Sequence, residues 1–158
     1  MDENKKCSIV VFSGDMDKQL GAFIIATTAA AMGMETSMFF TFWGLQALKK
    51  KGLKTGQSSF GRMLGFMFKD IDGVGPSKMN FGGMGRWMFK KMMKDKGVTS
   101  LPDLRQAAID LGVKMQPCQM SMDVMEIKRE DLIDEVDAVV GAASYVLAAQ
   151  EADITLFV

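Results

Sequence analysis

The most constraining feature of this chain is an unbroken apolar run followed by a helix-length apolar pattern and a second apolar run. Cys7-Ser-Ile-Val-Val-Phe-Ser13 is apolar nearly throughout, which fits a strand covered on both faces. Gly14-Asp15-Met16-Asp17 is a turn, with Asp15 or Asp17 as the expected helix N-cap. From Lys18 to Met32 the pattern predicts a helix with Leu20, Phe23, Ile24, Thr27, Thr28 and Ala31 on one broad face and Gly33 as its stop. Glu35 to Thr41 is then a second buried strand. Strand, helix and strand in so short a span make a right-handed βαβ unit with parallel strands.

The same alternation returns at the other end of the chain. Ser100 is placed to cap a helix with Pro102 in its first turn, which ends at Gly112. Val113 to Gln116 is a strand ending at Pro117. Val136 to Val140 reads as a fourth strand, Ala142 to Glu151 as a helix and Ile154 to Val158 as a last strand. The expected fold is an α/β class, three-layer α/β/α sandwich around a mostly parallel sheet of about five strands. Residues 1–158 read as one domain, with a methionine- and glycine-rich insertion at about 53–97.

That insertion holds seven methionines and nine glycines and no clear strand. Trp43 to Lys51 and Phe60 to Phe68 read as short helices on either side of its start. A third, from Gly85 to Lys94, groups Met84, Trp87, Met88 and Met92 on one face. Such a face packs on the core or on a neighbouring subunit, and a basic amphipathic segment over 79–94 also allows peripheral membrane contact. Between Lys49 and Lys96 there are twelve basic and three acidic residues, whereas Asp123 to Val158 holds nine acidic and two basic. This asymmetry suits a protein partner or a second subunit. No nucleic-acid reading motif accompanies it.

Histidine is absent, which removes imidazole metal sites, imidazole general bases and Ser/His or Cys/His pairs. With two cysteines the chain is a poor zinc protein, and neither metal nor cofactor is expected. The same two cysteines make no disulfide framework, so a reducing compartment, the cytoplasm, is expected. The opening Met1-Asp-Glu-Asn-Lys-Lys does not resemble a leader.

Chemistry centres on Cys118, which leaves a strand and enters the helix-like run holding Met122, Met125 and Ile127. A cysteine there stands at the rim of the sheet and meets unpaired helix N–H groups, which favour a thiolate. Ser121 is positioned to cap that helix. The alternative is that Cys118 is a small buried hydrophobe. Ser13, Thr41 and Cys118 all lie at or beyond strand C-terminal ends, where ligands of such folds bind. Cys7 lies at a strand's beginning, roughly 17–20 Å away along the strand direction, too far for a disulfide with Cys118.

Several stretches together resemble the DsrE/DsrF/DrsH-like family, in its DsrE-like branch often labelled "peroxiredoxin family". They are Phe12-Ser-Gly-Asp15, Phe39-Phe-Thr-Phe-Trp-Gly44, Met79-Asn-Phe-Gly-Gly-Met-Gly85, Cys118-Gln-Met-Ser-Met-Asp-Val-Met125 and Ile154-Thr-Leu-Phe157. One departure is Glu126, where a glycine is expected. The resemblance implies a homo-oligomeric sulfur-relay protein, a sulfurtransferase that carries sulfane sulfur as a persulfide on Cys118. It also implies sulfur donor and acceptor proteins of rhodanese-like or TusA-like type. In that scheme the N–H groups of Gln119 and Met120 hold the added charge, Ser121 lies beside them, and Ser13 and Gly14 form the facing wall. The Met79 to Met93 stretch is a flap. Two other readings stay open: a ligand-binding or scaffold module of flavodoxin-like shape, and a thiol redox protein. Gly14 to Lys18 lacks the glycine-rich phosphate cradle of nucleotide sites.

Overall fold

The computed structural model describes residues 4–158. Residues 1–3, on which part of the leader reading rests, lie outside them. The described residues build four strands, β1 (Lys6–Val11), β2 (Glu35–Phe40), β3 (Lys114–Pro117) and β4 (Ile154–Phe157). Six α-helices accompany them: α1 (Met16–Ala31), α2 (Ser59–Met67), α3 (Met84–Asp95), α4 (Leu101–Asp110), α5 (Gln119–Val124) and α6 (Ala142–Gln150). The strands form one all-parallel sheet in the order β3-β2-β1-β4.

Alternation along the strands divides the sheet into two unlike faces. Ile9, Val11, Met38, Phe40 and Met115 point to one side, where Phe23 and Ala26 of α1 and Ala108 of α4 complete the main core. Phe23 and Phe40 meet there with ring centroids 6.1 Å apart. The other side carries Ser8, Val10, Ser37, Phe39 and Gln116, and its apolar cluster is small: Val10, Phe39 and Cys118, with Val140 and Tyr145 packed on them. The helix on this side, α6, buries none of its residues.

Local rules account for the helix ends. Gly33, at φ 87°, takes the left-handed position that stops α1, and Met34 N–H returns to the Ala29 carbonyl at 3.0 Å. Ser100 caps α4, its hydroxyl oxygen accepting from the Asp103 N–H. Asp15 is the N-cap residue of α1, but its carboxylate makes no capping bond and instead meets Lys18 and the Ser13 hydroxyl.

Two elements differ from the expectation. Val136 to Val140 is not a strand, so the sheet has four strands and not five. The Asp137 N–H donates to the Met115 carbonyl at 2.9 Å, but the Met115 N–H goes to the Asp137 carboxylate at 2.7 Å, and the regular pairing is reduced to an isolated bridge between Cys118 and Val140. A side chain has taken the place of one backbone acceptor at the sheet's edge, one way edges are closed to further pairing. The stretch after β2 is a 3-10 helix, Phe42–Leu48, rather than one running to Lys51. Of the two surfaces expected to receive the apolar face of α3, this chain's core is not the one: Met84, Trp87, Met88 and Met92 are exposed, and Phe89 and Met93 turn inward.

The main core should respond to truncation at Phe40, which is fully buried. Phe40→Ala is expected to cost about 3–5 kcal/mol, with a lower urea midpoint and an unchanged denaturant slope. A loss under about 1 kcal/mol would show that the β2–α1 contact is not central to stability.

Candidate functional site

Cys118 is the residue between β3 and α5, and it is the N-cap of that helix with an extended backbone. Parallel pairing of β2 and β3 puts it level with Thr41, just past Phe40 and Pro117. Its N–H donates to the Phe40 carbonyl at 2.8 Å, which fixes the turn out of the strand. Both cysteines are free thiols, at opposite rims of the sheet.

The thiol is not open at the rim as its position suggested. Cys118 is only 3% exposed. Val140 lies alongside, with its N–H on the Pro117 carbonyl at 3.0 Å and its carbonyl accepting from Gln119 N–H at 2.9 Å. Tyr145 of α6 stacks on Phe39 at 5.3 Å between centroids and completes the apolar cluster. The cover over Cys118 therefore comes from Val140 and Tyr145, not from the methionine-rich stretch before and within α3. Cys7 is also buried, and loss of solvent pushes its thiol pKa up.

The other expected site residues fall in two places. Gln119 and Met120 are exposed on the first turn of α5. The Gln119 N–H is taken by the Val140 carbonyl and is not free to hold charge at the thiol. Ser121 is not a cap. It is fully buried, and its Oγ shares a 2.7 Å hydrogen bond with Thr41 Oγ1, tying α5 to the end of β2. Ser13 and Gly14 follow β1 and line a separate cavity with Phe12, Trp43 and Gln46, a cavity that Cys118 and α5 do not line. One strand, β2, stands between the two sets.

Glu126 is a residue whose part no local pattern announces. It ends the α5 turn at φ 52°, in the left-handed region where a glycine would be relaxed. Its carboxylate accepts from the N–H groups of Gln57 and Ser58 and from the Ser58 hydroxyl, at the start of α2. An acid at a helix start is favourably placed. These bonds, the Ser58 hydroxyl first, hold the carboxyl below the ordinary glutamate range. Glu126 thus clamps the end of the Cys118 helix to the methionine-rich segment.

A carboxylate with a lowered folded pKa stabilises the fold at neutral pH, and that contribution disappears as pH falls through the lowered value. The protection of the Gln57 and Ser58 amides, measured against the unfolded chain at the same pH, should therefore fall on acidification of the native chain. Glu126→Gln should show the lowered protection already at neutral pH. Glu126→Gly should do so too, despite its relaxed backbone. Unchanged exchange in both variants would show that the clamp does not hold α2.

The described residues contain no helix long and apolar enough to cross a membrane. Two solved structures share the fold at low sequence identity. The ychN protein of E. coli matches with a TM-score of 0.57 and 12% identity, covering 98% of this chain and 99% of that one. Protein MTH1491 of Methanobacterium thermoautotrophicum matches at 0.56 and 10%, covering 96% of each. Sequence similarity is much closer to two bacterial proteins. Uncharacterized protein YrkE of Bacillus subtilis (strain 168) is 42% identical over 162 aligned positions, 99% of each chain. Sulfur carrier protein DsrE2 of Allochromatium vinosum is 38% identical over 160, again 99% of each. With residues 3–157 matched by the family's own model and two full-length relatives beside it, the chain belongs to the DsrE/DsrF/DrsH-like family.

Proposed function

We propose that this chain is a sulfur carrier that loads sulfane sulfur on Cys118 as a persulfide and passes it to an acceptor thiol. The observation that carries the proposal is a cysteine at the end of β3 and the start of α5, in a chain 38% identical to a protein named as a sulfur carrier. In the loading step the Cys118 thiolate attacks the terminal sulfur of a donor persulfide, R–S–SH. The donor's S–S bond breaks, R–S⁻ leaves and Cys118–S–SH forms. In the second step an acceptor thiolate takes that terminal sulfur and Cys118 returns to thiolate. Both steps are exchange at sulfur with no net oxidation, and neither needs a general base, which suits a chain without histidine.

Access is the step this chain controls. Buried Cys118 must be uncovered before a donor can reach it. The cover is weakly held: α6 has no buried residue, and the exposed Glu151–Lys6 pair after its end adds little. Segments with so few buried contacts open at low free-energy cost. Donor and acceptor in this proposal are thiol-bearing proteins of rhodanese-like or TusA-like type. The outward apolar residues Phe60, Phe66, Trp87 and Met88 on α2 and α3 offer such a partner, or a second copy of this chain in a homo-oligomer, a surface to bury.

Incubation with a persulfide donor followed by intact-mass measurement tests the proposal. The native protein and Cys7→Ser should gain one sulfur atom, and Cys118→Ser should gain none while keeping its fold. Added oxygen instead of sulfur would point to a redox thiol. No added mass, or loading on Cys7 alone, overturns the carrier role. A second measurement addresses the cover. Tyr145→Ala should raise the alkylation rate of Cys118 by about tenfold, the equivalent of one lost aromatic contact, and leave Cys7 unchanged. Equal rates with and without the ring would show that Tyr145 does not gate the thiol.

A further inference from the structure

The topology creates a second place where a ligand fits. The turns that follow β1 and β2 meet the segment from Met67 to Arg86 at the C-terminal rim of the sheet and leave a crevice between them. A cavity of about 730 Å³ fills that crevice, within the usual range of small-molecule sites. It lies beyond the C-terminal end of β1, away from Cys118.

Its lining has an unanswered donor. Gln46 is only 7% exposed, yet its side chain lines the cavity. The Lys69 N–H donates to Gln46 Oε1 at 3.1 Å, and a backbone donor there fixes which end of the amide is oxygen. Gln46 Nε2 therefore faces the cavity beside Gly14, and it has no acceptor among the described residues. The absence of a side chain at Gly14 is what makes room for it: a Cβ there would lie 2.3 Å from Nε2. That donor is open to the cavity, so a ligand bound there can supply its acceptor.

The charges around it say which acceptor. The lining carries Lys18, Lys69 and Arg86 against one carboxylate, Asp15. Asp15 is already met by Lys18 Nζ at 3.0 Å and the Ser13 hydroxyl at 3.2 Å. Arg86 is anchored by Nη1 on the Gly73 carbonyl at 2.6 Å, which leaves the rest of its planar fork for an oxyanion. With Lys18 already spent on Asp15, the positive charge left in the lining suits a single oxyanion. The remaining wall is aromatic. Phe12 is held between Phe42 at 5.6 Å and Phe157 at 5.8 Å, and Trp43 leans on Phe68 at 6.2 Å. Flat, fixed rings of this kind suit a planar ligand ring.

We propose that the crevice at the end of β1, walled by Phe12 and Trp43 and headed by Gln46 and Arg86, binds a small planar-ringed molecule bearing one carboxylate or phosphate group. The site is independent of the thiol, so it stands or falls apart from the sulfur-carrier role.

Tryptophan fluorescence reads it directly in a Trp87→Phe background, which leaves Trp43 as the remaining indole. Phenyl phosphate, benzoate and inorganic phosphate are titrated in turn. A saturable response is expected for at least one ringed compound, tighter than for inorganic phosphate. Phenyl phosphate ahead of benzoate assigns a phosphate monoester, and the reverse order a carboxylate. Gln46→Glu keeps the acceptor for Lys69 N–H but turns a carboxylate on the ligand. It should weaken binding by about tenfold or more with an unchanged melting temperature, as expected for one lost charge-assisted hydrogen bond. Should that variant not fold, Arg86→Gln is expected to weaken binding to a similar degree. Cys118→Ser should bind as the parent does. The proposal is overturned if none of the three compounds gives a saturable response, if inorganic phosphate binds as tightly as the ringed compounds, or if Gln46→Glu and Arg86→Gln bind like the parent.

Discussion

All four strands run the same way, so every turn that follows a strand falls at one rim of the sheet. The rest of the molecule depends on that. A parallel sheet cannot be closed by tight hairpins, and each return passes through a helix or an irregular crossover. The Ser13–Gly14 turn, Thr41 and Cys118 are thereby gathered on one edge from three separate parts of the chain. Cys7, at the start of β1, is carried to the other edge. Proximity among the functional candidates is a consequence of strand direction before any side chain is considered. Strand order then separates them again: β3 is an edge strand and β1 is central, so the thiol and the crevice sit on either side of β2.

The parts legible in the sequence are those fixed by local pattern. Apolar runs located β1, β2 and β3, glycine at position 33 and serine at position 100 marked helix limits, and the strand-to-helix step placed Cys118. What was not legible depends on contacts between residues far apart in the chain. Nothing near Val136 to Val140 reveals that the Asp137 carboxylate will take the Met115 N–H and stop a strand from forming. Nothing near Ser121 reveals that Thr41, eighty residues earlier, will draw it into the interior and away from a capping role. Burial of Cys118 has the same origin, because its cover is supplied by Val140 and Tyr145. The face of α3 was left open for a different reason. That helix is apolar on two sides, and periodicity alone does not say which side meets the core.

Glu126 shows how a departure from a family pattern can be informative. The backbone there adopts φ 52°, a conformation that suits the expected glycine and disfavours glutamate. What offsets the strain is the carboxylate's set of three donors at the start of α2. A glycine would relax the turn but leave those donors to solvent. The substitution therefore exchanges backbone ease for a tie between two elements: the helix that begins at Cys118 and the methionine-rich segment that carries nearly half of the large apolar residues exposed among the described residues.

That tie bears on how a thiol without histidine can be governed. With no imidazole to switch a proton on or off, the reactivity of Cys118 rests on the fixed surroundings of the helix start and on exposure. Of these, exposure is the one that motion can change. Its two sides differ in strength. On one side Cys118 is held by the β2–β3 ladder and the buried Thr41–Ser121 bond, which are part of the rigid sheet edge. On the other it is covered by Val140 and by a helix with no buried residue. Under the proposed carrier role, opening would take place on the α6 side, while the position of the sulfur atom is kept by the sheet. A carrier needs that division, since a persulfide must be shielded between partners and yet presented in a constant place to each of them.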